Sequence, residues 1–213
     1  MNSPVFITGT GTGVGKTLVA AVVTEALQAG YWKPVQAGFE NGTDAEWVRQ
    51  HLSNNISVVY PELYKLKLPA SPHIAAREEG ARISSDKIVE EYRLLVPGKG
   101  QLVIEGAGGL MVPLNNDEMV LHLIKKLSAK VIVVSRNYLG SINHSLLTAG
   151  VLKANQVDVA GWIFNDQYMN YEEEIAEWSG YPVIGKIPYS DNIDRNFVAK
   201  QAERIRPALL NLL

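Results

Sequence analysis

The chain has 213 residues, of which 46% are hydrophobic and 20% charged, enough to bury the core of one sizeable domain and too apolar for the disordered or low-complexity classes. Twenty Lys and Arg against 22 Asp and Glu leave a formal charge of −2, so neither nucleic acid nor an anionic membrane is expected as a partner, and any anionic ligand must be gripped locally. The absence of cysteine excludes a disulfide framework, thiolate-bound zinc and a cysteine nucleophile, and suits a reducing, cytoplasmic setting. Met1-Asn2-Ser3-Pro4 runs into a short apolar segment without a basic leader pattern, and no stretch approaches the roughly 18 to 20 apolar residues of a membrane-spanning helix.

Short β-branched runs alternate with helix-length segments, the pattern of an α/β fold with a doubly wound, mostly parallel sheet flanked by helices, here expected as a single domain over 1–213. The first strand is predicted at 5–8. It is followed by a helix over 17–29 that is apolar almost all round and closes on Gly30 as its C′ residue. A short strand at 32–35, a helix at 44–52, a strand near 63–66 and a helix at 85–95 come next, then a strand at 102–104. Over 117–127, Met119, Val120, Leu123, Ile124 and Leu127 share one helical face, with Asn116 or Asp117 as N-cap. Strands at 130–134, 159–164 and 182–184 alternate with helices at 141–154, 171–178 and 194–206, Pro207 being expected to kink or end the last. Glu172-Glu173-Glu174 reads as a solvated helix start, and Trp32, Trp47, Trp162 and Trp178 as packing or interface aromatics.

The chemistry begins directly after the first strand, with Gly9-Thr10-Gly11-Thr12-Gly13-Val14-Gly15-Lys16-Thr17 leading straight into the apolar helix. Backbone N–H groups unobstructed by Cβ atoms, at a helix N-terminus whose dipole favours negative charge, suit a triphosphate. Lys16 adds a cation for the β- and γ-phosphates, and the Thr17 hydroxyl stands where Mg²⁺ is ligated. A glycine-rich turn that binds nothing would not need Gly-Lys-Thr in a complete strand, loop and helix setting. Five residues, not four, separate Gly9 from Gly15, with Thr10 where the usual loop has its first glycine, so a generic ATPase describes the motif poorly.

Glu105 closes the 102–104 strand ahead of Gly106-Ala107-Gly108-Gly109. A carboxylate at the C-terminal edge of a parallel strand faces the crevice where ligands bind and offers Mg²⁺ an oxygen; the bland alternative is a solvated strand-end glutamate. Asp44, after Asn41-Gly42-Thr43, reads equally as a helix cap or a metal ligand. Lys33, before Pro34, would neutralise charge during phosphoryl transfer if it lay near the phosphates, although pattern alone favours a surface lysine.

With these residues in place, the chain resembles the dethiobiotin synthetases over nearly its whole length. The resemblance is carried by Thr8 to Thr17 with that family's widened glycine spacing, by Lys33-Pro34-Val35-Gln36-Ala37-Gly38, Asp44-Ala45, Ser71-Pro72-His73 and Glu105-Gly106-Ala107-Gly108-Gly109, and by Leu139-Gly140-Ser141-Ile142-Asn143-His144, Gly161-Trp162-Ile163-Phe164-Asn165-Asp166 and Gly185-Lys186-Ile187-Pro188. It implies a P-loop NTPase-like fold and an ATP- and Mg²⁺-dependent ligase of biotin synthesis. Such an enzyme closes the ureido ring of dethiobiotin from 7,8-diaminopelargonic acid and carbon dioxide, releasing ADP and phosphate. One amine takes up carbon dioxide as a carbamate, the carbamate oxygen attacks the γ-phosphate, and the second amine displaces phosphate from the mixed anhydride.

Position by position, the resemblance implies Lys16 on the phosphates and Lys33 between carbamate and γ-phosphate as the catalytic residues, with Thr17, Asp44 and Glu105 around Mg²⁺. It implies nucleotide contacts from Thr12, Gly13, Val14, Gly15 and Leu18 and from Gly106, Ala107 and Gly108; Asn165, with Asp166 beside it, reads the purine, and Pro188, Tyr189 and Ser190 border it. Substrate contacts fall to Lys33 and Ala37 and, across a homodimer interface, to the Gly140, Ser141, Ile142 and Asn143 turn, an anion site by the same dipole argument.

Two positions depart from the family pattern. Its members often carry an acidic residue where Gly13 stands, and a Ser or Thr that contacts the diamine where Ala37 stands. Loss of one hydrogen bond, about 0.5 to 1.5 kcal/mol, weakens substrate binding without abolishing chemistry, and a backbone group or water can take its place. Competing readings fare worse. Partitioning or metallochaperone switches carry a second lysine early in the loop, where 10–14 here read Thr-Gly-Thr-Gly-Val; Asn165-Asp166-Gln167 does not fit the guanine motif; amidoligases of larger substrates carry an additional glutaminase domain. A module that keeps ATP without turnover stays open. His51, His73, His122 and His144 show no metal spacing, and no Gly-x-Ser-x-Gly elbow is present.

Overall fold

The computed structural model describes residues 3–95, 100–166 and 168–213; Met1, Asn2 and Gln167, which entered the sequence reading, lie outside the described residues. In chain order the elements are β1 (Val5–Gly9), α1 (Lys16–Leu27), β2 (Gly30–Trp32), β3 (Val35–Ala37), α2 (Asp44–His51), β4 (Tyr64–Leu66), α3 (Pro72–Glu78) and α4 (Ser85–Leu95). They continue with β5 (Leu102–Gly109), α5 (Val120–Lys126), β6 (Lys130–Arg136), α6 (Ser141–Ala154), β7 (Val159–Asn165), α7 (Glu172–Ser179), β8 (Val183–Ile187) and α8 (Arg195–Leu212). Six strands form a parallel sheet in the order β2-β5-β1-β6-β7-β8, and β3 and β4 make a separate parallel pair.

Period-two alternation sends successive residues of each central strand into different cores, which is why these strands are apolar without interruption. Val5 and Ile7 of β1, with Ile132 and Val134 of β6, pack under α1 and α8; Phe6, Val131 and Val133 face the layer that includes α4 and α5. Helix α1 is buried nearly all round because it lies between β1, β5, α2 and α8, as its composition predicts.

Several boundaries differ from the sequence expectation. Helix α1 ends on Gln28, left-handed at φ 50°, whose N–H reaches the carbonyls of Thr24 and Glu25; Gly30 instead opens β2 opposite Leu102. The strand expected over 32–35 is two strands, because Pro34 has no N–H for a ladder and its carbonyl instead accepts from the amides of Leu63 and Tyr64. Helix α5 starts at Val120, not at a cap of Asn116 or Asp117. The Asn115 side chain draws the amides of Asp117 and Glu118 into a turn, and the Met119 N–H donates to His122 Nδ1. Helix α8 passes through Pro207 to Leu212, since Val198, Ala202, Ile205 and Leu209 bury one continuous face that outweighs one lost hydrogen bond. Glu172 is not solvated: it is buried at the start of α7, accepting from Asn137 Nδ2 at 2.8 Å and Lys186 Nζ at 3.2 Å. Helix α3, begun by Pro72 at its first turn, has no counterpart in the predicted elements.

Candidate active site at the carboxyl ends of the central strands

Strand order places the loops after β1 and β5 side by side at the carboxyl edge of the sheet, the position where parallel α/β sheets bind ligands. The loop after β1 is shaped by left-handed glycines at Gly13 (φ 74°) and Gly15 (φ 91°). The acidic side chain that the family resemblance leads one to expect at position 13 would be strained in that backbone, so the departure at Gly13 has a conformational reading. A Cβ at Gly15 would lie 1.9 Å from Asn165 Nδ2, so only glycine lets the end of β7 approach the loop. Asn165 Nδ2 donates to the Val14 carbonyl at 3.2 Å, which puts the residue expected to read the purine against the phosphate loop.

Beside this loop opens a cleft of about 750 Å³, lined by Thr12, Gly13, Gly15, Lys16, Thr17, Lys33, Ala37, Asp44, Glu105, Ala107 and Gly108 among the expected residues. Sequence reasoning also missed part of its wall: Val35, Gln36, the 69–72 segment and Val112. At its floor, Glu105 is 1% exposed on β5, and Lys33, 6% exposed, reaches it from the end of β2. Lys33 Nζ donates to Glu105 Oε1 at 2.9 Å and also pairs with Asp44 Oδ2; Thr17 Oγ1 donates to the same Glu105 Oε1 at 3.0 Å. The surface reading of Lys33 and the solvated reading of Glu105 are therefore both wrong.

Asp44 is free to face Lys33 because Thr43, not Asp44, caps α2. The Thr43 hydroxyl accepts from the Glu46 amide at 3.1 Å and Glu46 Oε2 accepts from the Thr43 amide at 2.9 Å, a complete capping box. Gln36 fixes the same corner, donating to the Gly38 carbonyl at 2.8 Å and accepting from the Asp44 amide at 3.3 Å.

The two lysines differ electrostatically. Desolvation pushes the Lys16 ammonium down to about 8 against the pull of Glu105, with Lys33 adding to the lowering and Asp44 opposing it. For Lys33 desolvation also lowers, but the adjacent Glu105 and Asp44 carboxylates outweigh it and hold the ammonium above its ordinary range. Lys16 Nζ rests on the Gly11 carbonyl at 2.8 Å, folded over the loop it is expected to serve. Thr17, Asp44 and Glu105 supply only oxygen, the donor set that suits Mg²⁺.

One further residue reaches Glu105. Tyr31, buried on β2, donates its phenol to Glu105 Oε2 at 2.7 Å, and desolvation followed by the Glu105 charge raises its ionisation well above the ordinary range, so it stays a donor. The available signal was period two: Tyr31 and Lys33 stand two residues apart and converge on one carboxylate.

The other expected residues lie outside this cleft. Leu18 is buried in the core under α1, and a Cβ on Gly106 would press on the Phe6 ring at 2.7 Å. Asp166, left-handed at φ 75°, accepts from Arg136 Nε at 2.8 Å, and the segment of Pro188, Tyr189 and Ser190 follows β8, with Tyr189 donating to Asp191. Gly140, left-handed at φ 102°, precedes Ser141, Ile142 and Asn143 at the start of α6; the Ser141 hydroxyl is buried and bonded to Tyr171 Oη at 2.8 Å. His73 contacts Ser71, and His51 stacks on Trp47; among the described residues no group of three or more His, Cys, Asp or Glu is placed to hold a metal ion.

A six-stranded parallel sheet with a glycine loop, Lys-Thr helix start and strand-end acid at its carboxyl edge defines a P-loop nucleotide-binding fold. Solved structures agree at the level of fold. The Pyrococcus furiosus cell division ATPase MinD superposes with a TM-score of 0.65 at 14% identity over 100% of both chains, and a ParA family ATPase from Chlorobium tepidum with 0.56 at 13% identity over 99% of this chain and 93% of that one. Residues 3–196 match the family model of an AAA domain. The Cytophaga hutchinsonii ATP-dependent dethiobiotin synthetase BioD is 45% identical over 94% of this chain and 95% of its own length, and that of Christiangramia forsetii 43% identical over 97% and 98%. The chain belongs to the ATP-dependent dethiobiotin synthetase family.

Proposed function

We infer that this chain is an ATP-dependent dethiobiotin synthetase, closing the ureido ring of dethiobiotin from 7,8-diaminopelargonic acid and carbon dioxide with release of ADP and phosphate. Full-length similarity to the BioD relatives supports the reaction. The observation that carries it is a cleft floor where two lysines, two carboxylates and a hydroxyl converge beside the phosphate loop. Two anions, a carbamate and a γ-phosphate, must meet there, and the cost of bringing them together is met by fixed opposite charge.

Lys16 holds the β- and γ-phosphates and Lys33 stands where the carbamate oxygen meets phosphorus. Thr17, Glu105 and Asp44 would hold Mg²⁺, which supplies charge neutralisation on the phosphate oxygens. Against desolvation, the Glu105 and Asp44 carboxylates favour the charged form of Lys33, which suits an electrostatic role over that of a base. At Ala37 no side-chain hydroxyl is offered to the diamine, and a backbone group or water takes its place. Asn165 reads adenine, its amide offering both a donor and an acceptor, while Pro188, Tyr189 and Ser190 border the base.

We also propose a homodimer that brings the 140–143 turn of one copy to the substrate of the other. Its support is the exposure of Leu139 (86%), Leu147 (62%) and Met111 (58%) beside that turn and the phosphate loop. The chain then acts as one nucleotide-binding unit over 1–213. A cytoplasmic location suits the cysteine-free composition, and no helix of the described residues is long and apolar enough to cross a membrane.

The test is incubation of purified protein with 7,8-diaminopelargonic acid, bicarbonate, ATP and Mg²⁺, followed by mass spectrometry. Dethiobiotin and ADP in equal amounts, dependent on all four components, is the expected outcome. ATP binding without product would contradict the assignment.

A further inference from the structure

Among the described residues, Glu105 is held by three donors that divide between its two oxygens. Thr17 Oγ1 and Lys33 Nζ both donate to Oε1, on the side of the cleft, while Tyr31 Oη alone donates to Oε2 at 2.7 Å. Tyr31 is fully buried, its strand is paired to β5 through Val103 and Ile104, and its own carbonyl and N–H are bonded to Tyr60 and Val58, so the phenol is fixed from both ends. With Oε2 anchored this way and Oε1 accepting from Thr17 and Lys33, the carboxylate is held at both oxygens and keeps one orientation. We propose that Tyr31 is a positioning residue that locks the Glu105 carboxylate with Oε1 facing the Thr17 hydroxyl and Lys33, so that the cleft presents a ready-oriented oxygen to the divalent cation of a bound nucleotide. The inference rests on the Mg²⁺–ATP reading of this site.

Removing the phenol oxygen leaves Oε2 buried without a donor and the carboxylate held through Oε1 alone, which acts on cation affinity and hardly at all on the nucleotide's own contacts with the loop. The experiment is calorimetric titration of ADP into wild-type protein and Y31F, each at a series of Mg²⁺ concentrations and without Mg²⁺, with thermal melting of both. In Y31F, ADP affinity without Mg²⁺ is expected to stay within about twofold of wild type, and the Mg²⁺ concentration for half the affinity gain to rise by about three- to tenfold. In the Glu105→Gln background the same substitution is expected to change the Mg²⁺ dependence by less than about 1.5-fold, because the group it orients is altered already.

Ile104→Val, which loosens the β2–β5 packing against Trp32 in the core on the other face of the sheet from Tyr31 and Val103, is the control that should lower the melting temperature and leave the Mg²⁺ dependence in place. Y31M, whose flexible side chain fills the same space without a donor, serves if Y31F does not fold. A folded Y31F or Y31M with the wild-type Mg²⁺ response would overturn the proposal. So would failure of both to fold, which would make Tyr31 a packing residue. If wild-type protein itself shows no effect of Mg²⁺ on ADP binding, the reading of the site fails instead.

Discussion

The molecule contains two clusters of nearly the same chemical composition. In one, Lys33 lies between Glu105 and Asp44 with the Thr17 hydroxyl on the same carboxylate. In the other, Lys126 of α5 lies between Glu118 and Asp86 with the Ser85 hydroxyl, at 2.7, 2.6 and 2.7 Å respectively. They differ in where the fold puts them. The first sits at the carboxyl end of a central strand facing a cleft, with Lys33 and Glu105 buried and Asp44 half-buried at the rim; the second joins α4 to α5 at the surface, where Lys126 is 37% exposed. An ion pair among exposed charges contributes at most about 1 kcal/mol, whereas buried charges held by one another at the floor of a cleft are suited to act as fixed charges toward an anionic ligand. Composition does not distinguish a cluster at a cleft floor from a helix clasp; burial and topology do.

Substitutions sharpen this contrast in order of expected size. Lys16→Ala removes the cation over the phosphate loop and should lower ATP-dependent dethiobiotin formation by about a thousandfold or more, measured as product per minute with ATP saturation attempted. Turnover within tenfold of wild type would separate the phosphate loop from the chemistry. Asn165→Ala should reduce the preference for ATP over GTP by about tenfold, read from the ratio of kcat/KM values, and leave the Lys33 cluster undisturbed.

Titration distinguishes the two buried lysines from each other. Lys16, with its ammonium at about 8, is charged below that pH, and the phosphates need the charged form. Nucleotide affinity should therefore be flat below about pH 8 and fall by up to tenfold per pH unit above it. The fall should be absent in Lys16→Ala. Lys33, held charged by its carboxylates, contributes no such step. The smallest effect belongs to the surface cluster: Lys126→Met should lower the melting temperature by about 1 to 4 °C and leave kcat and KM unchanged. A turnover defect there would erase the distinction between the clusters.

Much of the frame was legible because its causes are local. The strand into Gly9 to Thr17 and the nearly all-apolar helix after it state their context within two dozen residues, and 85–95 carries a helical apolar period up to its ends. What stayed hidden depends on partners distant in sequence. Lys33 reads as a surface lysine until β2 is paired with β5, 72 residues away, which brings it to Glu105. Asp44 reads as a cap until Thr43 and Glu46 are seen to close the capping box without it. The role of Tyr31 is hidden because the apolar pattern starts the strand one residue later, at Trp32, and Glu172 reads as solvated because its partners Asn137 and Lys186 come from other elements. Pro207 shows tertiary packing overriding a local rule, its helix held by four buried apolar residues on one face.

The central claim is that the buried lysine between Glu105 and Asp44 faces the reacting carbamate and phosphate. It is tested most directly by Lys33→Met, assayed for nucleotide binding by calorimetry and for dethiobiotin by mass spectrometry in the same preparation. The account predicts Mg²⁺–ATP binding within about tenfold of wild type and product formation reduced by about a thousandfold. Product formed at a rate within tenfold of wild type by folded Lys33→Met protein would contradict it.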